Sequence, residues 1–158
     1  MVEIVAYESR LHNLVPVARI IRDFLVEGVI SFPYNPTTDW SIATATTPKL
    51  PVNCITLRDE AAQKVARTIA SGVIERPVVS IEIRSKQHEP GQYKAKEILE
   101  ELDGLGTWSW EGDSDEYGQT VVIKSAHRVR GIFYLGYDEN GRHLFNLEYA
   151  FVIQSIED

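Results

Sequence analysis

The chain has 158 residues, a formal net charge of −7, and hydrophobic and charged fractions of 44% and 25%. That length suits one domain with a sizeable core, residues 1–158, and the composition excludes disordered or collagen-like chains. The acidic balance argues against a protein that grips nucleic-acid phosphates. Residues 1–79 carry eight cations and eight acids, whereas residues 80–158 carry eight and fifteen, so the whole net charge lies in the second half. Met1 to Arg10 contains Glu3 and Glu8 and no long apolar run, so no signal peptide is expected. No stretch approaches the ~20 apolar residues of a membrane span. Cys54 is the single cysteine, which leaves no internal disulfide and fits a reducing compartment.

Residues 11–28 read as the first helix. Leu11, Leu14, Val17, Ala18, Ile21, Phe24 and Leu25 recur at spacings of three and four, with Pro16 in a first turn and Gly28 as the stop. Val29–Phe32 reads as a short strand, Pro33–Pro36 as a turn, and Val52–Leu57 as an alternating strand. Residues 59–72 fit a helix or a loop; as a helix, Asp59 is the N-cap and Gly72 the stop. Arg76–Ser85 alternates with a period of two and predicts a half-buried strand. A polar loop with Pro90-Gly91 leads into a helix over 92–104, with Tyr93, Ala95, Ile98, Leu99 and Leu102 on one stripe. Gly104 falls where a helix end favours a left-handed residue. Trp108-Ser-Trp110 alternates as a short strand. After an acidic loop, Thr120–His127, Val129–Tyr137 and His143–Gln154 are β-rich, and Asn140-Gly141 between the last two is a hairpin signal. The expected fold is α+β. It has one mostly antiparallel sheet, two to three helices packed on one face, and a long C-terminal β-hairpin.

A search for chemistry finds no motif. His12, His88, His127 and His143 lack metal-helix spacing, and no phosphate loop, dinucleotide fingerprint or nucleophile elbow occurs. Asp113-x-Asp115 starts like a calcium loop, but Tyr117 and Lys124 occupy positions that need oxygen ligands, so the motif fails. No cofactor or metal is expected. Eight acids and no Lys or Arg lie between Glu97 and Ile123; Glu111, Asp113, Asp115 and Glu116 form the loop part of that run. It reads either as a solvated loop or as a surface that repels nucleic acid or docks a basic partner. Trp108 and Trp110 share one side of a strand, which suits a core, an interface or, least, ligand stacking. Tyr34 and Trp40 lie on a loop where large aromatics can anchor a contact.

Three stretches then carry a resemblance: Pro51-Val-Asn-Cys-Ile-Thr-Leu-Arg-Asp59, Arg76-Pro-Val-Val-Ser-Ile-Glu-Ile-Arg84, and Ala95-Lys-Glu-Ile-Leu-Glu-Glu-Leu-Asp-Gly-Leu105. So do Leu135-Gly-Tyr-Asp-Glu-Asn-Gly-Arg142 and Phe145-Asn-Leu-Glu-Tyr-Ala-Phe-Val-Ile153. Over roughly residues 50–153 the order resembles the tail terminator proteins of long-tailed bacteriophages, which include small minor capsid proteins. In that family an Ile-x-Leu-x-Asp strand end, a Val-x-Val-Arg strand, a helix ending Leu-His-Gly-Leu and a Gly-Arg hairpin follow one another. Here Asp103 replaces that His, and the connection from Glu60 to Glu75 is longer. The resemblance implies an α+β subunit, not an enzyme. It would form a ring, usually a hexamer, that caps the tail tube and joins it to the head connector. The implied partners are other copies of the chain, the tail tube protein and a head completion or connector protein. DNA would pass through without specific binding, and no membrane is involved. The implied location is the head–tail junction of the virion, after synthesis in the host cytoplasm. In such a ring Tyr34, Trp40, Trp108 and Trp110 are interface candidates, and Glu111, Asp113, Asp115 and Glu116 are lumen or rim candidates. The alternatives are another component of the same junction, or a small ligand-binding domain or enzyme. A deep pocket holding His88 with convergent acids would mark an enzyme.

Overall fold

The computed structural model describes residues 17–60, 63–67, 73–110 and 119–157. The elements run α1 (Val17–Glu27), β1 (Phe32–Pro33), β2 (Ser41–Thr44), β3 (Cys54–Asp59), β4 (Gln63–Arg67), β5 (Val73–Arg76), β6 (Val78–Ser85), α2 (His88–Asp103), β7 (Trp108–Trp110), β8 (Gln119–Tyr137) and β9 (His143–Glu157). The strands form one sheet in the order β1-β2-β3-β6-β9, with β5 and β4 continuing from β9, and with β8 on β9 and β7 on β8. The β1–β2 and β2–β3 pairs are parallel, and the remaining pairs are antiparallel. The α+β architecture and the C-terminal hairpin are as the sequence predicts.

The period of two in β6 sets the core. Val79, Ile81 and Ile83 lie opposite Tyr149, Leu147 and Phe145 of β9, and Ile81 and Ile83 lie opposite Leu57 and Ile55 of β3. All of these are buried, and they join Ile20, Ile21 and Leu25 of α1 and Ala95, Ile98 and Leu102 of α2 in one cluster. Both helices therefore cover the same sheet face. The opposite face carries Arg58, Glu82, Ser80, Arg84, Asn146 and Glu148. Arg84 is buried there and donates to the carbonyls of Val52, Lys49 and Pro51 at 3.0, 3.2 and 2.8 Å, which holds that loop against the sheet.

Several local expectations change. Residues 11–16 of the first helix lie outside the described residues. The segment expected as a helix or loop over 59–72 contains a strand instead. β4 pairs with β5, which in turn pairs with β9, so the ladder overrides the helical spacing of its alanines. Asp59 does cap a helix, but a different one. From the end of β3 its Oδ1 accepts the Ala18 amide of α1 at 2.9 Å. Burial pushes its carboxyl up, while the amides of Ala18 and Val17 pull it down.

The second helix starts at His88, so Pro90-Gly91 lies in its first turn rather than in a loop. Proline is tolerated there because first-turn amides have no helical partner. A Cβ at Gly91 would meet Phe145 Cε2 and Ser85 Cβ at 2.7 Å each, so the glycine lets the helix sit against the sheet.

Neither glycine stop is left-handed. Gly104 has φ −85°, and at the end of α1 the left-handed residue is Val29, at φ 59°. The Ile30 amide donates to Leu25 O and the Val29 amide to Val26 O, each at 3.1 Å, which is the bonding of a Schellman end. A β-branched residue in that conformation is strained.

Val29 is 73% exposed, so its side chain contributes little packing. Val29→Gly is expected to raise stability by about 0.5–1 kcal/mol, seen as a higher urea midpoint at unchanged slope. Asp59→Ala is expected to lower it by about 1 kcal/mol, and Asp59→Asn by much less. Equal loss in both Asp59 variants would show that the side chain does not act as the α1 cap.

Candidate assembly surface

β8 has 19 residues and β9 has 15. The ladder between them shifts register four times, between Ile123 and Ser125, Arg128 and Arg130, Arg130 and Phe133, and Tyr134 and Gly136. Each shift leaves one extra residue on β8, and together they account for the difference in length. Among the described residues, β7 covers β8 only at Val121–Ile123, and no strand lies beside the outer side of β8 from Lys124 to Tyr137. Bulges bend and twist an edge strand and break up its row of free amides and carbonyls.

Because of the bulges, apolar side chains do not alternate cleanly along this edge. Val129, Ile132, Phe133, Tyr134, Leu135 and Tyr137 are all exposed, Tyr137 by 70%. Exposed apolar area of this kind makes β8 a candidate contact surface. Arg130 braces the far face, donating to Asn146 Oδ1 at 2.7 Å and Glu148 Oε1 at 3.1 Å. On the helix face Arg128 pairs with Asp103 Oδ2, and Asp103 Oδ1 accepts the Tyr149 hydroxyl at 2.7 Å. Burial pushes the Asp103 carboxyl up, but the hydrogen bonds from Arg128 and Tyr149 outweigh it and leave the carboxyl below its usual range. Burial, then Asp103, pushes the Tyr149 hydroxyl far above the ordinary phenol range, so it stays a donor.

Near the turn, Tyr134 lies 4.9 Å from the His88 ring and 5.1 Å from Phe145, and its hydroxyl is 2.7 Å from His143 Nδ1. His88 is thus part of an aromatic cluster. The cavity beside it, about 340 Å³, is open and lined by Gln87, His88, Glu89, Pro90 and Tyr93. Among the described residues Glu89 is the single acid lining it. Among the described residues no group of three or more His, Cys, Asp or Glu side chains could hold a metal ion. No described helix is long and apolar enough to cross a membrane.

The aromatic candidates separate. Trp110 is 4% exposed and donates to Asp23 Oδ2 at 2.7 Å, so it belongs to the core. Trp108 is half-buried, 5.4 Å edge-on from Phe24. Trp40 packs on the core with the Lys94 ammonium 5.5 Å above its ring. Tyr34 is exposed and its hydroxyl donates to Leu50 O at 3.1 Å. Glu111, Asp113, Asp115 and Glu116 lie outside the described residues.

A second exposed apolar group surrounds β1: Val29, Phe32, Tyr34 and Leu50. Sequence reasoning missed most of this surface. The run Ile132-Phe-Tyr-Leu135 was a usable signal, because four consecutive apolar residues on a strand with one wet face must expose some of them.

Neither a scan against models of known families nor a search of curated proteins finds a match to this chain.

The Asp103 carboxyl is held below its unfolded value, so its contribution to stability is complete above about pH 4. It is lost as pH falls through the lowered value. Urea titrations of the wild type and Asp103→Asn are expected to differ at neutral pH and to converge towards pH 2–3. A gap that stays constant with pH would remove the charge from the account.

Proposed function

We propose that the chain is a structural virion protein of a long-tailed bacteriophage, a subunit of the ring that caps the tail tube and joins it to the head connector. The observation that carries this reading is the edge of β8 from Lys124 to Tyr137, beside which no described strand lies, with its exposed apolar side chains. Such an edge supports assembly better than catalysis. The resemblance over residues 50–153 supports it further. Its segments fall on β3, β6, α2 and the β8–β9 hairpin, which form one continuous body.

The proposed partners are neighbouring copies of the chain, the tube protein on one side and a connector protein on the other. A net charge of −7 suits a passage through which DNA slides without being held. Electron microscopy of purified particles from the encoding phage is expected to place the protein as a ring at the head-proximal end of the tail tube. Particles made without it should contain heads and tails that fail to join. A protein absent from purified particles would sink the reading, and one found within the head connector would move it to a different component of the junction.

A further inference from the structure

The turn pair Asn140-Gly141 between β8 and β9 carries a chemistry of its own. Asparagine is thermolabile, and most so before glycine, where no side chain hinders the next backbone nitrogen. Once that nitrogen has lost its proton it can attack the asparagine Cγ. The Cγ–Nδ2 bond breaks, the NH2 group takes up a proton and leaves as ammonia, and a succinimide ring forms. Water then adds to one of the two ring carbonyls and opens the ring to isoaspartate or aspartate. Asparagine and water give an acid and ammonia, and nothing is oxidised or reduced.

The fold needs the labile pair, because Gly141 sits at φ 72°. Asn140 and Gly141 are both exposed, and a Cβ on Gly141 would meet nothing within 4 Å. The turn nevertheless ties up the attacking nitrogen. The Gly141 amide donates to Asp138 O at 3.1 Å, which closes a four-residue turn. Asp138 Oδ1 accepts the Asn140 amide at 2.9 Å and the Arg142 amide at 3.0 Å, and the Asp138 amide donates to Arg142 O at 2.9 Å. All four hydrogen bonds pass through Asp138 and enclose Asn140. The Arg142 amide first, then the Asn140 amide, hold the Asp138 carboxyl below its usual range against the opposing effect of desolvation, so the acceptor is charged. We propose that Asp138 is a latch that keeps Asn140 from deamidating, and that Asn140-Gly141 is a modification site uncovered only when the hairpin tip opens. Attack on Cγ requires the Gly141 nitrogen to turn away from Asp138 O. The native rate is therefore the rate of the unfolded chain multiplied by the fraction of tips that are open. Isoaspartate would add a carbon to the main chain close to the first ladder pair, Tyr137 with His143, and a negative charge beside Glu139.

The test incubates full-length chains at neutral pH and follows the peptide 131–142, which trypsin releases by cutting after Arg130 and Arg142. Conversion adds one mass unit, and fragmentation of the peptide places it on residue 140. The native wild type is expected to convert at least about tenfold more slowly than the same chain unfolded in urea. Asp138→Ala removes the acceptor and Asp138→Glu moves it, so both should convert several-fold faster than the native wild type. Asp138→Glu decides the matter if Asp138→Ala misfolds by circular dichroism. Asp138→Asn keeps an oxygen that can accept the same two amides, and its rate should lie nearer the wild type than Asp138→Ala. Asp59→Ala weakens the fold at a distant cap and should leave the rate at residue 140 unchanged.

A native wild type that converts as fast as the unfolded chain would overturn the latch. So would Asp138→Ala and Asp138→Glu at the wild-type rate, or Asp138→Asn as fast as Asp138→Ala. An Asp59→Ala rate as high as that of Asp138→Ala would assign the protection to global folding and overturn it as well.

Discussion

β9 is the strand on which the described structure depends. One side of it carries β6 from Ser85 to Val78 and then β5, and the other side carries β8 along its whole length. Its odd-numbered residues, Phe145 to Ile153, all enter the core; α2 docks over β9, β8 and β6, while α1 closes the same core from β2, β3 and β7. A one-residue slip of β9 would move Phe145, Leu147, Tyr149 and Phe151 to the polar face and bring Asn146 and Glu148 inside. Burial of these side chains fixes the register, and the register in turn decides which side of β8 faces the helices and which faces solvent.

The polar residues of the recurring pattern turn out to be fastenings. Asp59 ends a strand and supplies a missing acceptor to α1. Arg84, on the face away from the helices, holds the loop at Lys49–Val52. Asp103, which stands where the resembled family has a histidine, ties the end of α2 to Tyr149 and Arg128. Each joins elements that are distant in sequence, and each answers an unsatisfied donor or acceptor.

What could be read from the residues followed the strength of local signals. The alternation of Val79, Ile81 and Ile83, the stripe of Ala95, Ile98 and Leu102, and Asn140-Gly141 gave a strand, a helix and a turn because pattern and tertiary demand agree there. Where they compete, the fold wins. Gln63–Arg67 has helical spacing but joins the sheet through β5. Gly28 and Gly104 invite left-handed helix ends, yet Val29 takes that conformation and Gly104 does not. The exposed apolar edge was harder to read because burial belongs to strand order, which no local window contains. The tryptophans drew attention by size, and Trp110 proved internal. The plainer run Ile132–Leu135 lies on the edge because β8 was placed last in the succession.

The surplus of β8 over β9 gives the two strands different tolerance to insertion and deletion. Removing a residue from β8 beyond Ile123 can be absorbed by erasing one bulge, after which the remaining ladder and the core stay as they are. Removing a residue from β9 has no such reserve, and every side chain beyond it changes faces. The edge strand is therefore a length-adjustable border, able to re-aim its outward side chains through small indels while the strand beside it stays locked. Divergence in the exposed apolar side chains of this edge is channelled into a strand whose geometry can accept it.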